Sequence, residues 1–198
     1  MIDGDAPEGA TPLDPDECEG LKHKHITTRG ELNELEQANV QSGLRWVSRS
    51  RRRDILSDDF LRGLHKRLFG DVWSWAGTYR RTEKNIGVDP LRIGVEMRKL
   101  IDDARYWVQR GTFPPLEAAA RFHHRLTQIH PFPNGNGRHA RIATDLYLER
   151  HFGHDPIAWM PGFDFQADNE RRKSYIAALR AADGGDYGLF LRFVGGKE

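Results

Sequence analysis

The stretch His130-Pro-Phe-Pro-Asn-Gly-Asn-Gly-Arg-His-Ala-Arg141 constrains the fold more than any other part of the chain. Pro131 and Pro133 forbid a continuous helix, while Gly135 and Gly137 let the backbone turn tightly. Before it, Ala119, Phe122, Leu126 and Ile129 repeat at helical spacing; after it, Ile142, Leu146 and Tyr147 do the same. The chain is therefore predicted to run helix, stiff loop, helix, with His130 closing the first helix and the glycines opening the second. A helix that starts from glycine aims unpaired N–H groups outward as an anion cradle. Arg138 and Arg141 stand three apart in that first turn, where each opposes the helix dipole by roughly 0.3–1 kcal/mol. A bound anion restores the balance, and the planar guanidinium fork suits phosphate oxygens. His130 faces the same anion and is able to take a proton from an attacking hydroxyl. Singly these features are common at ordinary helix starts; it is their combination that points to phosphate chemistry.

Helical patterns surround this unit. Thr28-Arg29-Gly30-Glu31 fits a capping box opening a helix to about Val47, and Ser57 caps a second helix carrying Phe60, Leu61, Leu64 and Leu68, which stops at Gly70. Asp89-Pro90 starts another, with Ile93, Met97, Leu100, Ile101, Ala104 and Trp107 inward and Gly111 as its end. Two more are expected, from Asp168 or Asn169 to Ala182 and from Asp186 to Val194. Between Gly77 and Val88 the polar, β-tolerant run reads as one exposed hairpin. The expected class is mainly α with one short β-hairpin flap. Trp73, Trp75 and Trp107 are read as core aromatics.

Composition narrows the function. With 198 residues and 38% hydrophobic content the chain can bury one sizeable core. No apolar run approaches the roughly 18 residues of a membrane span, so no membrane partner is expected and a cytoplasmic protein is. Cys18, the single cysteine, excludes an internal disulfide framework. His123, His124 and His130 have no carboxylate at a known zinc-ligand spacing, and His123 and His124 are expected to edge their helix. The net charge of +1 hides seven acids and no Lys or Arg in residues 1–20, which leaves +8 on the rest. Residues 1–25 are expected to form an acidic Pro/Gly-rich arm, extended rather than helical, ahead of one domain at 26–198. The basic run around Arg51, Arg52 and Arg53 reads as the solvated end of a helix in preference to a nucleic-acid footprint.

The loop resembles the motif of the Fic/Doc (Fido-fold) family, His-x-Phe-x-Asp/Glu-Gly-Asn-Gly-Arg-x-x-Arg. Phe69 to Tyr79 with Trp75-Ala76-Gly77, the Ile86-Gly87 turn, and Tyr175 to Asp186 also look like family landmarks. Gly9 to Asp16 and Thr27 to Glu34 resemble a bacterial subgroup called mobile mystery protein B. The resemblance implies a helical Fic domain that transfers AMP from ATP to a Ser, Thr or Tyr hydroxyl of a target protein and releases pyrophosphate. It implies His130 as the general base, Gly135, Asn136 and Gly137 as the phosphate cradle, and Arg138 and Arg141 on the β and γ phosphates. Phe132 would anchor the loop, Ile86, Gly87 and Val88 would clamp the target's backbone by strand addition, and Tyr175 and Asp183 would line the adenine pocket, Asp183 in place of the more usual Asn.

Two departures qualify these expectations. Asn134 stands where the family places the acid that binds Mg2+, and its amide oxygen lacks the charge a hard cation prefers. AMP transfer with weakened metal dependence, transfer of another phosphate-containing group, and a nucleotide-binding regulatory pseudoenzyme all stay open. The family's inhibitory motif, Ser/Thr-x-x-x-Glu-Gly/Asn, has a Glu that pairs with the second motif arginine, here Arg141. Thr27 to Glu31 satisfies its first half and Leu32 breaks its ending, so Glu31, a separate inhibitor or antitoxin-like chain, or no inhibitor are the competing expectations.

Overall fold

The computed structural model describes residues 14–49, 54–159 and 170–195. Among these, the elements in order are α1 (Pro15–Cys18), α2 (Arg29–Arg49), α3 (Asp58–Phe69), a 3-10 turn (Pro90–Arg92), α4 (Ile93–Arg110), α5 (Pro115–Ile129), α6 (Asn136–Phe152), α7 (Glu170–Asp183) and α8 (Gly188–Gly195). None of the described helices is long and apolar enough to cross a membrane.

Local chemistry sets most of the boundaries. The Glu31 carboxylate accepts from the Thr28 N–H while the Thr28 hydroxyl accepts from the Glu31 N–H, which closes the box at the start of α2. Ser57 accepts from the Phe60 N–H at the start of α3. Asp89 accepts from the Leu91 N–H, and Pro90 first imposes a 3-10 turn before α4 settles. Gly111, in the left-handed region at φ 59°, ends α4. The last helix begins two residues later than expected because Asp186 bonds the Gly188 N–H as a cap. The expected start of α7 at Asp168 or Asn169 lies outside the described residues, as do Arg51 to Arg53 and the acids before Asp14.

Helix α5 is the centre of the packing, lying against α4, α6 and α8, while α3 joins α2 to α6. Phe122, Leu126 and Ile129 of α5 are fully buried, and Phe122 stacks on Tyr147 of α6 at 4.9 Å. Truncating such a ring costs about 3–5 kcal/mol. With neighbours on several sides, α5 has little free edge, so His123 and His124 are buried and hydrogen-bonded and do not edge the helix as expected.

Two further expectations are corrected. Residues 14–22 do not run extended: Asp14 and Glu17 form a reciprocal cap around Pro15, giving the single turn α1. Leu21 is buried, the Lys22 N–H donates to Val72 O, and the Ser74 N–H donates to Gly20 O. The segment from 77 to 88 is not a hairpin. Among the described residues the β pairing is one isolated antiparallel bridge, Leu21 to Trp73. The flap carbonyls of Thr82 and Val88 accept from the guanidinium of Arg80 and not from a facing strand.

Candidate active site

The loop between α5 and α6 is held from within and from below. The Asn136 side chain accepts from the Phe132 N–H (2.9 Å) and donates to the Phe132 carbonyl (2.7 Å), clasping the loop across four residues. Asn136 is itself buried, so its side chain braces the loop from within. Phe132 is fully buried and stacks on His65 at 3.7 Å, the anchor the sequence suggested. His65 accepts from the Gly77 N–H at Nδ1 and donates from Nε2 to the Asn134 carbonyl, so the ring is neutral and its tautomer is fixed by its partners. Burial holds its pKa well below the usual histidine value. Gly135 sits at φ 76°, and a Cβ there would lie 2.6 Å from the Phe69 ring, so only glycine fits the turn that starts α6.

His130 occupies the C-cap of α5 at φ 53°, the one non-glycine residue with positive φ among those described. That conformation costs a side-chain-bearing residue about 1–2 kcal/mol and persists because its surroundings impose it. Nδ1 lies 3.4 Å from the Thr127 carbonyl, which can only accept, so Nε2 is the basic nitrogen. Burial, opposed by that hydrogen bond and reinforced by the nearby Arg80 and Lys84 cations, lowers the imidazole to about 4. The ring is therefore neutral at pH 7.

The two arginines live in different surroundings. Arg138 lies over the Phe69 ring at 4.7 Å and is paired with Glu36 of α2, Nη2 to Oε2 2.5 Å. The other Glu36 oxygen accepts from the indole N–H of Trp73 at 2.7 Å. Arg141 is buried against Tyr175, whose ring centre is 5.5 Å from the guanidinium and whose hydroxyl it hydrogen-bonds. That hydroxyl lies 2.8 Å from His123 Nε2, and His123 Nδ1 lies 3.2 Å from Thr144 Oγ1, which donates to Ala140 O. The Thr144 proton is thus committed, so His123 donates from Nδ1 and Tyr175 donates to Nε2. Tyr175 consequently steadies Arg141. Asp183 bonds His124 Nε2 at 2.8 Å, and Tyr187 bonds the opposite nitrogen of that ring.

The segment at 82–88 and His130 meet directly. A Cβ on Gly87, at φ 122°, would approach the His130 Cβ to 3.0 Å, while Ile86 is exposed beside it. Lys84 is buried between Asp14 (2.9 Å) and Glu17 (2.5 Å), and the Thr82 hydroxyl donates to Glu17, so the turn at 14–18 buttresses the flap.

Glu31 is elsewhere. Its carboxylate accepts from the N–H groups of Thr27 and Thr28 at the exposed start of α2, whereas Glu36 of the same helix pairs with a motif arginine, Arg138. Glu36 had a legible signal: it falls within Leu32, Glu36, Asn39, Val40, Gly43 and Val47, the buried stripe of α2. Arg80 and His65 carried no such mark. The donors around Asn134 do not fit a protein-held divalent cation: its Oδ1 accepts from the Gly135 N–H, and the described residues hold no cluster of three His, Cys, Asp or Glu suited to a metal.

Residues 55–148 match the model of the Fic/DOC family. Curated relatives include protein adenylyltransferase fic-1 of Caenorhabditis elegans, 31% identical over 153 residues, which is 73% of this chain and 28% of that protein. Protein adenylyltransferase Fic of Drosophila grimshawi is 30% identical over 135 residues, 66% of this chain and 26% of its own. The chain thus spans about a quarter of these relatives. Among solved structures, a C. elegans Fic-1 fragment superposes with a TM-score of 0.60 at 29% identity, over 79% of this chain and 45% of that one. The N-terminal Fic domain of Bep8 from Bartonella sp. 1-1C superposes with a TM-score of 0.70 over 89% and 88%, and at 16% identity this is a likeness of fold. By matched sequence and by fold, residues 55–148 form a Fic/DOC family domain, which holds His130, Arg138 and Arg141.

Proposed function

We propose that the chain is a protein adenylyltransferase that moves AMP from ATP to a hydroxyl side chain of a target protein. The observation that carries this reading is a neutral, buried His130 whose basic nitrogen is set by the Thr127 contact, in the loop that leads into α6, whose first turns carry Arg138 and Arg141. The target hydroxyl attacks the α-phosphorus and gives its proton to His130 Nε2. The bond from the α-phosphorus to the bridging oxygen breaks, and pyrophosphate leaves with its charge met by the α6 N–H groups, Arg138 and Arg141. The negative phosphates also raise the basicity of His130 from its low value in the free protein. The names of the curated relatives support the reading. The target segment would lie along Ile86, Gly87 and Val88, with adenine near Tyr175 and Asp183. ATP brings any magnesium with it as counter-ion, Asn134 being a neutral neighbour to that ion. Membership of the mobile mystery protein B subgroup and a cytoplasmic location complete the reading.

Asn134 favours one second reading, a regulatory protein that binds nucleotide without turnover. Incubation with α-labelled ATP and cell lysate, beside His130→Ala and Asn134→Asp, separates the two. Label on protein from the wild type and none from His130→Ala is expected; label from Asn134→Asp alone refutes transfer by the natural chain.

A further inference from the structure

We infer that Arg80 is the positioning residue that sets His130 and couples it to the flap, an inference that rests on His130 being the base. Three consecutive carbonyls of the catalytic turn accept from this one residue. The Arg80 main-chain N–H donates to Pro131 O (2.9 Å), Nε to His130 O (2.7 Å), and Nη2 to Ile129 O (3.5 Å). The same guanidinium holds the two ends of the flap, Nη1 on Thr82 O (2.7 Å) and Nη2 on Val88 O (2.5 Å). The Val88 N–H returns to Ile129 O at 3.3 Å, which closes the circuit between flap and loop.

This arrangement answers a specific need. Helix α5 ends at Ile129 with carbonyls that have no intrahelical partner, and a cation at that end suits the dipole. His130 then turns into the left-handed region, which points its carbonyl away from α5 and toward Arg80. Bracketed on residues 129, 130 and 131, the backbone of the base has little freedom, and the ring is fixed in turn by Thr127. Only a guanidinium offers enough donors in a planar fork to serve four carbonyls at once; an ammonium has three donors on a flexible stem. Arg80 is 3% exposed, so its contacts are sheltered from water. Gly87 belongs to the same device, since a Cβ there would stand 2.4 Å from Arg80 Nη2 and 3.0 Å from the His130 Cβ. A target strand that shifts the flap at Val88 therefore pulls on the residue that holds the base, which ties target engagement to readiness for proton transfer. The charged groups facing His130 are Arg80 and Lys84, both from the flap, the latter paired with Asp14 and Glu17.

The test uses the full chain with Arg80→Gln, Arg80→Lys and, in case loss of Arg80 prevents folding, Gly87→Ala, which presses on the same contacts without deleting them. The primary readout is an NMR titration of the His130 ring, which is independent of turnover; ATP affinity and turnover against pH are read beside it. In Arg80→Gln the His130 midpoint is expected to rise toward the ordinary histidine value and its ring signals to broaden. Turnover should fall about 100-fold while ATP affinity changes less than threefold, because Arg138 and Arg141 are untouched. Arg80→Lys and Gly87→Ala should show the same changes in smaller degree. Unchanged His130 midpoint and ring signals in every folded variant overturn the inference. If His130→Ala keeps full activity, the assignment of the base fails instead, while the titration still reports whether Arg80 sets the ring.

Discussion

Replacing Glu36 by Gln should make the protein less stable and, at the same time, a better binder of ATP. The Glu36 and Arg138 side chains are 6% and 17% exposed and meet at 2.5 Å, and the second carboxylate oxygen holds the Trp73 indole. Gln offers one acceptor oxygen for these two donors and no charge. A charge-assisted hydrogen bond is lost, worth about 1.5–3 kcal/mol. Arg138 opens toward the site and keeps some solvation, which keeps the loss near about 2 kcal/mol, below the roughly 3–5 kcal/mol of a fully enclosed pair. For a chain of this size that lowers Tm by about 4–8 °C. ATP reverses part of it. In the wild type the phosphates compete with a carboxylate for Arg138; without that competitor, affinity should improve about tenfold, or about 1.4 kcal/mol. At a ligand concentration near a hundred times the wild-type Kd, binding stabilises the wild type by about 2.7 kcal/mol and the variant by about 4.1 kcal/mol. Thermal unfolding with and without ATP, together with calorimetric titration, should thus show two curves well separated in the free proteins and nearly merged in the complexes. If Glu36→Gln loses the same stability but binds ATP equally or more weakly, Glu36 orients Arg138 for phosphate and does not compete with it.

Acid should unfold the protein early. Burial lowers His130 and His139 to about 4 and His65 and His123 well below the usual value, so the unfolded chain binds more protons than the folded one between pH 6.5 and 4. Stability gained from these neutral rings is present above pH 6.5 and lost as pH falls. Asp145, raised by burial to about 6, works in the opposite direction and offsets one ring. The net slope is on the order of 3 kcal/mol per pH unit, and urea midpoints at pH 7, 6 and 5 will show it; a flat series contradicts neutral buried histidines. Asn136→Ala opens the clasp on Phe132 and leaves a buried N–H and C=O without that partner, at a cost of about 3 kcal/mol in urea unfolding. Label transfer by Asn136→Ala should fall at least 100-fold, and a wild-type rate would show that the clasp does not shape the cradle.

The helical frame was legible wherever a local rule decides a boundary, as at Ser57, Asp89, Gly111 and the box of Thr28 with Glu31. The candidate loop from His130 to Arg141 was legible because its residues are contiguous. What escaped was chemistry assembled across the chain: Glu36 finds Arg138 across 102 positions, His65 finds Asn134 across 69, and Arg80 finds His130 across 50. His65 and Arg80 are polar residues that read as solvated until a partner is known. The flap misled for a related reason. A β-tolerant run predicts cross-strand pairing only if its carbonyls lack better donors, and Arg80 supplies them.

The turn at Asp14–Cys18 has a consequence for the order in which the protein is put together. Its partners Trp75, Thr82 and Lys84 lie 58 to 70 positions further along, so in a growing chain it waits for all of them before it can dock. Contacts of such long reach form late and are among the first to open under mild stress. The flap thus acquires its last brace after the helical body is built, and hydrogen exchange should find residues 80–88 loosening together with residues 14–22, ahead of α5.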